Sequence, residues 1–128
     1  MMRRALAVAL AAALGAGCLA QEAPFAGDDD TALLLHLDGD AQDASGCGNH
    51  GAAKGAVTWA PGRFGQAVAL DGQGAVVFAP SAALHVGEHS WTVECWIKPQ
   101  REQPAHAVIF ASGWGHERHY GLRISGGK

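Results

Sequence analysis

The residues best suited to chemistry lie in a short acidic stretch between positions 38 and 49. They offer the hard oxygen ligands that Ca²⁺ prefers, and they are Asp38, Asp40, Asp43 and Asn49. The spacing is not that of an EF-hand, because Gln42 and Asp43 occupy the fifth and sixth positions counted from Asp38. The stretch is a candidate calcium site. We favour the alternative, in which Asp43 and Asn49 hydrogen-bond the backbone of their own turns.

The sequence lacks the patterns that hydrolases commonly use for catalysis. Cleavage of a glycosidic bond typically needs two carboxyl groups flanking the bond, but Glu94 stands alone in the segment TVECWIKP. There is also no Gly-x-Ser-x-Gly elbow and no glycine-rich loop of the kind that cradles phosphate. We therefore expect a protein that is not an enzyme.

Four tryptophans are many for so short a chain, and the flat apolar face of this side chain stacks well on sugar rings. Trp91 and Trp96 fall in a strand-like segment, so we expect them to pack inside the protein. Trp114 lies between two glycines in a loop and is the candidate ligand-binding residue. A structural role for Trp114 is the competing interpretation.

The first 20 residues have the layout of a secretory signal peptide. Arg3 and Arg4 precede a run of Ala, Leu and Val, which closes on small residues before Gln21. The run is shorter than the roughly 20 residues that cross a bilayer, and no later segment is apolar enough to do so. We expect a secreted or cell-surface protein without a transmembrane segment. A lipid anchor at Cys18 is the less favoured alternative, since Gly15 stands where lipoprotein signals usually have Leu.

Removal of the leader leaves a mildly acidic chain. The sequence has nine basic and twelve acidic residues, and the loss of Arg3 and Arg4 lowers the formal charge from −3 to −5. The remaining Lys and Arg residues are scattered singly, without the basic patch that binds nucleic acid or an anionic membrane. We exclude both as partners on this basis.

Two cysteines, Cys47 and Cys95, follow the leader. In an oxidising compartment such a pair is a candidate disulfide, which in the chain-entropy model would contribute about 4 kcal/mol. The alternative is a buried thiol at Cys95 and a loop thiol at Cys47. Spacing alone leaves both interpretations open.

In the rest of the chain, frequent glycines separate short segments that have the pattern of β-strands. A polar leader at 21–31 precedes TALLLHLDGD, a predicted buried strand, and the Gly- and Asp-rich segment 40–56, a predicted loop. Residues 66–70 and 75–79 are predicted to form a hairpin around a turn at 71–74. A short turn or a single helical turn is expected in PSAALHVGEH, and further strands in HSWTVECWIKP, AHAVIFAS and HYGLRISG. This pattern predicts an all-β antiparallel sandwich.

The order of these blocks resembles the N-terminal half of a laminin G-like jelly-roll domain, in the concanavalin A-like lectin and glucanase superfamily. The most specific part is the pattern Asp-x-Ser-Gly-x-Gly-Asn-His-Gly at residues 43–51, where Cys47 replaces an Asn that is common in the family. The resemblance spans residues 32–125. It implies that residues 32–128 form the N-terminal part of a jelly roll, incomplete at the C-terminus, and that calcium could bind at a sandwich rim.

Function follows less directly, because this fold hosts lectins, adhesion modules and hydrolases alike. Our first expectation is a secreted, non-catalytic module that binds glycan or extracellular protein ligands. The alternatives are a targeting appendage of a larger secreted carbohydrate-active enzyme, and a structural spacer without a ligand.

Overall fold

The computed structural model describes residues 23–85, 90–102, 104, 106–113 and 120–125. Its strands are β1 (Gly51–Pro61), β2 (Gln66–Phe78), β3 (His106–Ala111) and β4 (Gly121–Ser125), and a 3-10 helix spans Ala82–Leu84. β1 pairs with β2 and β3 with β4, giving two antiparallel sheets of two strands each. The predicted all-β class is confirmed, since these residues contain no α-helix. A complete jelly-roll sandwich is not seen in the described residues.

The first sheet is a long hairpin whose turn lies at Gly62–Gly65. The Gly62 amide donates to the Gly65 carbonyl oxygen at 2.8 Å, and Gly65 has a φ of 67° that favours glycine. An Asp38 carboxylate oxygen accepts a hydrogen bond from the Gln66 amide at 2.8 Å, at the start of β2. The hairpin predicted around residues 71–74 is therefore wrong. β2 runs without interruption through that segment, and the chain reverses before β2, at residues 62–65.

The segment DGQG forms a bulge inside β2 instead of a turn. Gly55 pairs with Gly74 and Val57 with Leu70, so Ala56 alone faces the three residues 71–73. The Asp71 carboxylate accepts from the Gln73 amide at 2.9 Å, and Gly72 has a φ of 91°. Gly72 thus has the positive φ that favours glycine, as in a turn, but the extra length is absorbed within a continuous strand.

The start of β1 corrects the predicted loop at 40–56. Residues 51–56, GAAKGA, are strand in the structure although their composition is poor in β-branched and aromatic residues. Pairing with β2 supplies the hydrogen bonds that hold this segment extended, so tertiary context outweighs local propensity.

Two predicted strands do not form among the described residues. TALLLHLDGD contributes only an isolated bridge between Leu35 and Asp43. The segment 91–98 has the alternating pattern of a strand, yet every residue from 91 to 100 is exposed and none joins a ladder. Alternation describes side chains, whereas a strand in a sheet also requires a partner for its backbone.

The second sheet and the short helix agree with the predictions. β3 and β4 lie within AHAVIFAS and HYGLRISG, and the Ser112 amide extends their ladder by donating to the Tyr120 carbonyl oxygen at 2.9 Å. The predicted single helical turn is the 3-10 helix, whose N-cap Ser81 accepts a hydrogen bond from the Ala83 amide at 3.3 Å.

Little of the described chain is fully buried. Ala41 and Asp43 are the buried residues, each 8% exposed. In β2 the residues Val76 and Phe78, which share one face of the strand, are half-buried, whereas Leu70 is 42% exposed. The described residues contain no helix long and apolar enough to cross a membrane.

Candidate functional site

The acidic loop is organised around the buried carboxylate of Asp43. One of its oxygens accepts hydrogen bonds from the amides of Leu34 at 3.0 Å and Ser45 at 2.9 Å. The other oxygen accepts from the Asn49 amide at 2.9 Å. The Asn49 side chain in turn donates to the Ala32 carbonyl oxygen at 2.9 Å. The carboxylate thus holds together two stretches of chain that lack a ladder of their own.

Neighbouring bonds close the same loop. The Asp43 amide donates to His50 Nδ1 at 3.0 Å, and the Ala44 amide donates to the Leu34 carbonyl oxygen at 2.8 Å. The Gly51 amide donates to the Ala41 carbonyl oxygen at 2.8 Å, where β1 begins. The loop DASGCGNHG is therefore a hydrogen-bonded platform from which the first sheet starts.

These bonds also set the ionisation of Asp43. Burial by itself would raise the pKa of the carboxyl group, because it disfavours the charged form. Hydrogen bonds from the amides of Leu34, Ser45 and Asn49, and from the Ser45 side chain, outweigh burial and lower the pKa well below its usual value. Asp43 is thus a charged structural group at neutral pH.

The four predicted calcium ligands are not gathered into one site. Asp43 and Asn49 hydrogen-bond within their own loop, while the exposed Asp38 binds the Gln66 amide. The exposed Asp40 accepts from the Gln42 amide at 3.0 Å. Across the part of the chain that the structure describes, no three His, Cys, Asp or Glu residues are grouped so that they could hold a metal ion. Calcium binding stays a prediction without geometric support.

The predicted disulfide is not formed in the structure. Cys47 and Cys95 are both free and exposed, so the alternative of a buried thiol at Cys95 is wrong as well. Cys47 belongs to the acidic loop, where its sulfur contacts the Thr31 carbonyl oxygen at 3.7 Å. Cys95 lies in the segment that joins no ladder, so nothing in the backbone pairing brings the two sulfurs together.

Three aromatic side chains contact one another beside the second sheet. The rings of Trp91 and Tyr120 have centroids 4.8 Å apart at a tilt of 48°, and those of Tyr120 and Phe110 are 6.2 Å apart. The Tyr120 hydroxyl donates to the Leu84 carbonyl oxygen at 2.8 Å, which fixes the central ring of the row. We call these three side chains, Trp91, Tyr120 and Phe110, the aromatic row.

An open groove of about 320 Å³ runs beside the aromatic row. Its lining is largely apolar, with Arg123 as its charged residue, and consists of Val108, Phe110, Ala111, Tyr120, Gly121, Leu122 and Arg123. Two of the apolar lining side chains are widely accessible, since Val108 is 61% exposed and Leu122 44%, and Trp91, which contacts Tyr120 from outside the lining, is 48% exposed. Aromatic faces next to a cationic hydrogen-bond donor suit a ligand that is both apolar and polar, such as a sugar.

The sequence located this site only in part. Trp114, the predicted ligand contact, lies outside the described residues, in the stretch between Gly113 and Tyr120. Trp91 was expected to be packed in the interior but is exposed beside Tyr120. Phe110 and Tyr120 were visible only as parts of strands, and their proximity depends on the register of β3 against β4.

No family model, curated protein or solved structure matches this chain.

Proposed function

We propose that this protein is a secreted, non-catalytic β-rich module that binds glycan or extracellular protein ligands through the aromatic row. The observation that carries the proposal is the contact between the exposed ring of Trp91 and the half-buried ring of Tyr120, which lines the groove that contains Arg123. The signal-like leader at residues 1–20 supports a location outside the cytoplasm.

The chemistry of the groove favours binding over catalysis. No carboxylate lines it in the described residues, and the Tyr120 hydroxyl is already bonded to the Leu84 carbonyl oxygen, so the groove offers no pair of groups for acid and base catalysis. The apolar faces of a pyranose ring can stack on Trp91, while Arg123 can donate hydrogen bonds to hydroxyl or carboxylate oxygens. An acidic or sulfated glycan would gain from the charge of Arg123 as well.

The resemblance to laminin G-like domains supports the same proposal. We propose that residues 32–128 form the N-terminal part of such a domain. The segment DASGCGNHG, which carries the resemblance, is also the loop that Asp43 holds together.

A screen for ligands tests the proposal. The full chain, secreted with its own leader, is applied to an array of neutral, acidic and sulfated oligosaccharides and to a panel of matrix proteins. We expect Trp91→Ala to weaken binding to any ligand found by roughly tenfold, because stacking on an aromatic ring is worth about 1 to 2 kcal/mol. Trp91→Phe should retain much of the binding.

The matched control is Phe64→Ala, which truncates a half-buried aromatic side chain in the turn between β1 and β2, outside the row. It should leave ligand affinity unchanged. Silence on all glycans and matrix proteins would contradict the proposal, and so would equal losses for Trp91→Ala and Phe64→Ala.

A further inference from the structure

The segment from Thr92 to Lys98, which we call the open segment, has the pattern of a strand but joins no ladder with the described residues. Its residues are all exposed, and among the described residues no backbone hydrogen bond joins it to the rest of the chain. Val93 and Ile97 are 45% and 47% exposed on one side of the pattern, and Trp96 is 50% exposed on the other. An exposed segment with this apolar pattern, if extended, is a template for pairing with another strand.

The charges of the open segment are arranged symmetrically. Glu94 and Lys98 lie two residues before and two residues after Trp96, so all three side chains fall on one face of an extended chain. If two copies pair antiparallel with Trp96 opposite Trp96, each Glu94 faces a Lys98 of the other copy. Opposite charges and aromatic rings are the cross-strand pairs that stabilise a sheet.

We propose that the open segment pairs antiparallel with the same segment of a second copy of this chain, with Trp96 on the two-fold axis. The proposal uses none of the three side chains of the aromatic row, and it does not depend on the proposed ligand binding being correct. An isologous contact of this type closes on itself and yields a dimer instead of a filament.

Proline at position 99 is compatible with this register. When Trp96 faces Trp96 as a hydrogen-bonded pair, the ladder uses the amides of Glu94, Trp96 and Lys98. Pro99 then falls at a position whose nitrogen points away from the partner strand, so its missing amide proton costs no ladder bond. The ring of Trp96 is held in place within its own chain by the Arg63 guanidinium, 4.1 Å from the ring centroid.

A register centred on Cys95, in which one strand is displaced by two residues along the other, would be distinguishable. It would place Cys95 opposite Cys95, where two exposed thiols could form a disulfide, but it would set Glu94 against the ring of Trp96. Charge complementarity favours the Trp96-centred register, in which the cysteines do not face each other.

Analytical ultracentrifugation of the full secreted chain under reducing conditions tests the proposal with charge swaps. Wild type is expected to dimerise, whereas Glu94→Lys and Lys98→Glu each place like charges opposite one another and should weaken the dimer at least tenfold. The double variant Glu94→Lys with Lys98→Glu restores both pairs and should dimerise like wild type. An equimolar mixture of the two single variants should form a heterodimer for the same reason.

A monomeric wild type would overturn the proposal, as would single variants that dimerise as well as wild type. The register would be overturned if the double variant dimerised as weakly as the single variants and the equimolar mixture of the two single variants stayed monomeric. Cys95→Ser is the control for the shifted register: it should dimerise like wild type, and loss of the dimer in this variant would contradict the Trp96-centred pairing.

Discussion

At the scale of single residues, Asp43 has the clearest role. Its carboxylate accepts three backbone hydrogen bonds from three separate points in the chain, and it is one of the two buried residues in the described structure. Hydrogen bonds to a charged acceptor are worth more than those between neutral groups, and an amide left without its acceptor in a buried site is costly. Asp43, one of the four predicted calcium ligands, thus already uses both carboxylate oxygens to hold the fold together.

Replacing Asp43 by Asn should therefore destabilise the protein. We expect Asp43→Asn to lower the free energy of unfolding by about 2 kcal/mol at pH 7, since the amide NH₂ cannot accept from the Asn49 amide. Urea denaturation provides the measurement. The control is Asp40→Asn, an exposed residue with one local hydrogen bond, which should change stability by less than about 0.5 kcal/mol.

The same variant should alter the response to acid. Because the pKa of Asp43 is lowered in the folded state, its stabilising effect is present above the unfolded pKa of about 3.9. The effect is lost as pH falls from there through the folded pKa. The difference in stability between wild type and Asp43→Asn should thus begin to shrink as pH falls below about 4, and it should keep shrinking towards the folded pKa. A difference that stays constant from pH 7 to pH 2 would show that the charge of Asp43 is not responsible.

At the scale of elements, the bulge in the first sheet decides how β1 and β2 fit together. Gly55 and Gly74 face each other where the register shifts, and an added Cβ at Gly74 would collide with the Ala56 carbonyl oxygen. Gly72 is different, because a Cβ there would meet nothing within 4 Å and only its φ of 91° disfavours other residues. Glycine is therefore required at position 74 by the close approach of the two backbones and at position 72 by its positive φ.

Alanine substitutions should separate these two causes. We expect Gly74→Ala to cost about 2 to 3 kcal/mol, because two backbones must move apart, and Gly72→Ala about 1 kcal/mol from conformation alone. Gln73→Ala, at an exposed bulge position, should cost less than about 0.5 kcal/mol. Urea denaturation of the three variants checks the order. If Gly72→Ala proves the most damaging, the segment is a constrained turn, and the continuous β2 strand is contradicted.

The elements also show what the sequence could and could not reveal. β3, β4 and the 3-10 turn were predictable because local pattern and tertiary pairing agree there. The bulge was mistaken for a hairpin turn because Asp71 and Gly72 have turn chemistry, and only the pairing with β1 makes the strand continuous. The start of β1 was missed because Gly and Ala carry little strand preference.

The candidate site was harder to predict for a related reason. Types of residue are visible in a sequence, so the acidic loop and the tryptophans could be selected as candidates. Which aromatic rings meet depends on register and on contacts between distant segments, as with Tyr120 and Leu84. The aromatic row therefore emerges only once β3 and β4 are aligned.

At the scale of the whole molecule, two small sheets and a well-bonded loop leave much apolar surface exposed. Exposed large side chains include Leu70, Val77, Trp91, Val93, Trp96, Ile97, Val108 and Leu122. Apolar surface on this scale is typical of regions that bind ligands or other proteins. The aromatic row with its groove and the open segment contain six of these eight residues, and Leu70 and Val77 of β2 lie outside both.

The most direct test of the central proposal, that the aromatic row binds ligand, is an NMR titration of the ¹⁵N-labelled chain. The titrant is the oligosaccharide that binds best on the array, and the Trp91 indole resonance is assigned with the Trp91→Phe variant. We expect this resonance to shift in proportion to saturation, while that of Trp59, a half-buried residue of β1, stays in place. Saturable binding that shifts Trp59 and leaves Trp91 unmoved would contradict the account.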